Sequence, residues 1–119
     1  VTTSFKTRVE RRIGVVEITG PLDDHAIPML HGAITDVAER AGTPRVLIVE
    51  DNITATSENA AKALIYECAT LRGKGGNLGL VSSDGAVTRG GRPSAQTFYI
   101  AAYSSLEFGL ERLGKVEFK

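Results

Sequence analysis

Four consecutive residues, Thr56, Ser57, Glu58 and Asn59, bring two hydroxyls, a carboxylate and an amide to the start of an amphipathic segment. There they suit a helix N-terminus: a Ser or Thr oxygen caps free backbone N–H groups, and an acid in the first turn complements the helix dipole. A second acidic pair, Asp23 and Asp24, follows Gly20-Pro21-Leu22, and either carboxylate is a favoured cap for the segment that comes next. The other reactive residue types assemble into no catalytic set. His25 and His31 are six positions apart and do not share a helix face as metal-ligand pairs do, which leaves surface or cap roles. Cys68 falls on an apolar stripe with no CxxC companion and no activating base, as a small core residue does. Gly73-Lys74-Gly75-Gly76 lacks the spacing of a phosphate-cradling loop and follows a helix instead of a strand. With no nucleophile, base and orienter to combine and no metal cluster, neither catalysis nor a cofactor nor a metal is expected.

The elements that must position these groups follow from periodicity. Phe5, Thr7 and Val9 alternate with Lys6 and Arg8 as a half-buried strand, and Glu10-Arg11-Arg12 with Gly14 reads as a hairpin turn. Val15, Val16 and Ile18 form a second strand ending at Gly20-Pro21. Ile27, Leu30, Ile34, Val37 and Ala41 have helical spacing, Pro28 sits in the first turn where its missing N–H has no partner, and Gly42 closes the helix. The unbroken apolar run Val46–Val49 predicts a strand buried on both faces. A helix is expected from about Ser57 to Arg72, with Ala61, Leu64, Ile65, Cys68 and Leu71 on its buried face. Leu78 to Val81 and Thr97 to Ala102 read as strands. Ser104-Ser105-Leu106-Glu107 opens a last helix as a capping box from Ser104 to Glu107, with Leu106, Leu110 and Leu113 as its buried stripe. This alternation predicts an α/β fold with a mixed, mainly parallel sheet and packed helices, in one domain spanning residues 1–119.

The 119 residues balance 14 Lys and Arg against 14 Asp and Glu. A net charge of zero argues against nonspecific binding to nucleic acid or an anionic membrane. No apolar run approaches the ~20 residues of a membrane span. A single cysteine excludes an internal disulfide and fits a reducing cytoplasm. The sequon Asn52-Ile53-Thr54 is read as chance, since no signal peptide is apparent. The chain opens on Val1 instead of Met, which leaves room for residues upstream.

From about Arg8 to Leu113 the order and spacing resemble the STAS domain family, the anti-sigma factor antagonists and their relatives. Gly20-Pro21-Leu22-Asp23 occupies that family's Gly-x-Leu-Asp position, and Phe98-Tyr99-Ile100 with Ser104-Ser105-Leu106-Glu107 resembles its last strand and helix. Val46 through Leu64 aligns without gaps on its strand, its Asp-Ser-Ser-Gly switch motif and the following helix; Ser57-Glu58-Asn59-Ala60 stands in place of that motif. The resemblance implies the STAS fold and a regulatory domain that binds an anti-sigma factor of serine-kinase fold, or another regulatory protein, in a partner-switching pathway. The implied switch surface is Asp23, Thr56, Ser57, Glu58 and Asn59. Glu58 stands where the family usually carries its phosphorylated serine. It either imitates the modified state weakly or removes phosphorylation from this position, and a plain first-turn acid is the simplest reading. Ser57 and Thr56 are phosphorylation candidates if the loop register shifts, or else plain caps. Val87 to Gln96, a helix in the family, holds Gly90-Gly91-Arg92-Pro93 and is expected to be a mobile loop; Arg89 and Arg92 there could meet an acidic partner. The alternatives are a stressosome-type scaffold built by STAS–STAS assembly or homo-oligomerisation, and a domain sensing a nucleotide or a lipid.

Overall fold

The computed structural model describes residues 2–82 and 100–115. Two strands, β1 (Ser4–Glu10) and β2 (Ile13–Leu22), form a hairpin closed by Arg11 and Arg12. Both arginines have positive φ, 53° and 64°, as a two-residue turn with the twist of a hairpin demands. A short 3-10 turn, Asp24–Ala26, leads into α1 (Ile27–Ala41). Then follow β3 (Arg45–Thr56), α2 (Glu58–Gly73), β4 (Asn77–Val81), β5 (Ala101–Tyr103) and α3 (Leu106–Lys115). The strands lie in the order β1-β2-β3-β4-β5, with β1 antiparallel to β2 and every other pair parallel. The expected mixed, mainly parallel sheet is therefore present.

The unbroken apolar runs exist because both faces of the sheet are covered. Val16, Ile18, Val46 and Ile48 join Leu30, Ile34 and Val37 of α1 and Leu64, Cys68 and Leu71 of α2 in one core. Ile13, Val15 and Leu47 point the other way and pack with Leu110 and Leu113 of α3. Alternate residues of one strand thus serve different layers. Gly42 ends α1 at φ 73°, its N–H donating to the carbonyls of Ala38 and Glu39, the left-handed closure its position predicts. Cys68 is fully buried in the core, its sulfur 3.5 Å from Asn77 Oδ1.

Several expectations need correction. Val9 is exposed, so only Phe5 and Thr7 keep the inner face of β1. The strand β3 runs seven residues past Val49, to Thr56. Beyond Val49 its neighbour among the described residues is β2 alone, since β4 stops at Val81 opposite Val49. A strand covered on fewer sides needs no continuous apolar run, and Asn52, Thr54 and Ala55 are exposed around buried Ile53; the sequon lies here. The buried stripe of α2 is Ala60, Leu64, Glu67, Cys68 and Leu71, turned from the expected face so that Ala61 and Ile65 are only half-buried. The cap of α3 is Ser105, whose Oγ accepts from the Phe108 N–H at 3.1 Å. Glu107 does not reach back to Ser104; it accepts from Arg11 of the hairpin at 2.5 Å. The last strand begins at Ala101, and its expected start at 97–99 lies outside the described residues, as do Val87 to Gln96 with Arg89 and Arg92.

Candidate functional site

The carboxyl ends of β2 and β3 meet at one end of the sheet, where Leu22 pairs with Thr56. In parallel sheets the loops leaving these ends converge and are the usual place for recognition. Here the loop after β2 and the start of α2 are joined directly. The Ser57 N–H donates to the Leu22 carbonyl at 3.0 Å, which carries β2 onto the first residue of the helix cap. Ser57 Oγ accepts from the Ala60 N–H at 3.1 Å, the capping role foreseen for it.

The two neighbouring carboxylates divide their work. Asp23 caps its own 3-10 turn, Oδ1 accepting from the Ala26 N–H at 3.2 Å. Asp24 crosses the gap instead: Oδ1 accepts from the Ser57 hydroxyl at 2.7 Å and Oδ2 from the Asn59 amide at 3.0 Å. Sequence reasoning treated Asp24 as a cap like its neighbour. Its bridge spans more than thirty positions and leaves no local signal. The Asn59 amide, and after it the Ser57 hydroxyl, hold the Asp24 carboxyl below the usual carboxylate range.

The other residues expected at this surface differ sharply in access. The Glu58 side chain is 75% exposed, with the Lys62 ammonium 3.9 Å away, so its charge is presented to solvent beside the bridge. Asn59 is exposed, Ser57 is half-buried, and Thr56 Oγ1 is buried without a hydrogen-bond partner among the described residues. Adding a phosphoryl group to Ser57 would remove the hydroxyl proton that Asp24 accepts and set about two negative charges against that carboxylate. Among the described residues no group of three or more His, Cys, Asp or Glu side chains is placed to hold a metal ion. No helix among them is long and apolar enough to cross a membrane.

The lowered Asp24 pKa has a definite sign. Its stabilising contribution is present above the unfolded carboxyl's pKa and is lost as the pH falls through the folded value. Carbon-detected NMR titration is expected to give Asp24 a midpoint below that of an ordinary aspartate, moved up by Asn59→Ala and less by Ser57→Ala. An ordinary midpoint in the unaltered protein would mean that the bridge is not populated.

A mainly parallel sheet with α1 and α2 on one face, α3 on the other and a linked loop–helix edge defines a small layered α/β domain. The STAS domain family matches residues 4–103, and the chain belongs to that family. The anti-sigma factor antagonist SpoIIAA in its unphosphorylated form superposes with a TM-score of 0.68 at 15% identity, covering 95% of this chain and 100% of that one. An anti-sigma factor antagonist from Mycobacterium paratuberculosis gives 0.74 at 20% identity, covering 94% of each chain. At these identities the likeness establishes the shared fold. Among curated proteins, none matches the sequence significantly.

Proposed function

We propose that this protein is a non-catalytic regulatory domain of the anti-sigma factor antagonist type, which binds an anti-sigma factor of serine-kinase fold through Asp23, Thr56, Ser57, Glu58 and Asn59. The observation behind this reading is the exposed Glu58 charge beside an ordered Asp24–Ser57–Asn59 bridge. The bridge fixes the relation of the β2 loop to the start of α2 before any partner arrives, which lowers the ordering cost of association. Family membership and the antagonists that share the fold support the class of partner. The Glu58 carboxylate supplies permanent negative charge at the interface, where a reversible phosphate would supply a switchable one. Charge at an interface selects partners and sets association rates.

The test captures partners with the tagged full chain and with a Glu58→Ser variant, then measures the captured partner's affinity for both by calorimetry. A kinase-fold anti-sigma factor should be recovered and should bind the variant at least about tenfold more tightly, a difference of about 1.4 kcal/mol. Recovery of only other STAS proteins, or of nothing, by both forms would overturn the reading. Equal affinities would remove the role given to Glu58.

A further inference from the structure

A groove of about 420 Å³ runs between α1 and α2, away from the switch edge. Ile34 and Ala38 of α1, Leu71 of α2 and Pro44 supply apolar walls. Glu67 also lines it, from the buried stripe of α2, and its side chain is only 7% exposed. A carboxylate taken out of water needs a charged or hydrogen-bonding partner. That partner is His31, whose Nδ1 lies 2.6 Å from Glu67 Oε2 while its own side chain is 60% exposed. The anchor is therefore held in the protein and its partner is mostly in water.

We propose that this groove binds a small primary alkylammonium ligand, with Glu67 as the charge anchor and His31 as a displaceable cover. The ammonium would take the place of the imidazole on Glu67 while the alkyl stem lies along Ile34, Ala38 and Leu71. Displacement costs little, because the imidazole moves from a half-solvated position into water. The volume falls within the roughly 300–1,000 Å³ of small-molecule sites. The charge sign selects the class: Glu39 at the rim adds to Glu67, and Lys74 is the one opposing cation of the lining. Phosphorylated ligands would bring anions against a fixed, buried carboxylate. The proposal is independent of the reading given to the switch edge. It bears on that edge all the same, because the Asp24 bridge ties the lead-in of α1 to the start of α2, the helices that form the groove walls.

The test is an amide NMR titration of the full chain at neutral pH and constant ionic strength. The probes are n-pentylammonium chloride, n-pentanol and sodium pentanoate. The expected result is saturable shifts at Ile34, Ala38 and Leu71 with the ammonium only, together with a change in the His31 ring signals as it leaves Glu67. Glu67→Gln should weaken binding at least about tenfold, the effect of losing a charge-assisted hydrogen bond. His31→Ala should bind the ammonium as tightly as the unaltered protein or more so. The His31 signals report displacement without a substitution, should Glu67→Gln fail to fold. Several outcomes would overturn the proposal: no saturable shift at about 20 mM ammonium, well above a millimolar Kd; equal response to the alcohol; an unmoved His31 ring; or a Glu67→Gln variant that folds and binds unchanged.

Discussion

Gly76→Ala is expected to destabilise the protein by about 3 kcal/mol, at the upper end of ordinary single substitutions. The reason is a backbone approach, and it involves no flexible side chain that could give way. A Cβ at Gly76 would stand 1.7 Å from the Pro44 carbonyl oxygen and 2.4 Å from its carbon. That carbonyl is already committed, accepting from the Asn77 N–H at 3.0 Å. The Gly76 N–H in turn donates to the Leu71 carbonyl at 2.9 Å. The contact thus seats the end of α2 and the start of β4 against the start of β3, where Arg45 pairs with Asn77. Moving Pro44 to admit a methyl would disturb the first rungs of a central parallel pair. Urea denaturation measures the cost, with Gly73→Ala as the control, because nothing lies within 4 Å of a Cβ there. A cost for Gly76→Ala no larger than that of Gly73→Ala would show that the two segments do not approach in this way.

Leu22→Ala is the second large effect, expected at about 3 kcal/mol, within the range for leucine truncation in a packed interior. Leu22 has no exposed surface and belongs to the core shared by β2, α1 and α2. Its position makes the consequence functional as well as energetic. The Leu22 carbonyl receives the Ser57 N–H, so the residue whose side chain is anchored in the core also carries the joint between β2 and α2. The substitution keeps the carbonyl and removes the packing that holds it in place. Hydrogen exchange at Ser57 and Ala60 should accelerate more than at core amides of β3 remote from the edge. A loss of stability with uniform exchange across the protein would separate Leu22's packing role from any role at the edge. A cost below about 1 kcal/mol would contradict its burial.

Both effects depend on contacts between segments distant in sequence, which is where periodicity ceases to inform. The Pro44–Gly76 approach leaves no trace beyond a glycine in a glycine-rich stretch. The turn of the α2 stripe toward Glu67 is similar. Ala61 and Ile65 are apolar at helical spacing and make an adequate face on paper. The helix settles with Ala60 and Glu67 inward, and His31 of α1, a contact far away in sequence, lies within reach of the buried carboxylate. Glu107 was a sound partner for Ser104 by local rule, yet Arg11 on the hairpin claims it.

The sequence by itself determined the main elements and their order along the chain. Val46–Val49 announced a strand covered on both faces, Leu30, Ile34 and Val37 announced the face of α1, and Gly42 and Ser57 marked a helix end and a helix start. These are short-range consequences of side-chain spacing, backbone sterics and capping, and they act within a few residues of their cause. Family resemblance in the chain's motifs pointed to the same edge of the sheet. Only the tertiary structure decided what happens across that edge and between the helices. Asp23 and Asp24 are chemically identical neighbours, and either would cap a helix. One turns inward to its own loop and the other bridges to Ser57 and Asn59, because only the packing of β2 against β3 sets the distance that a carboxylate can span.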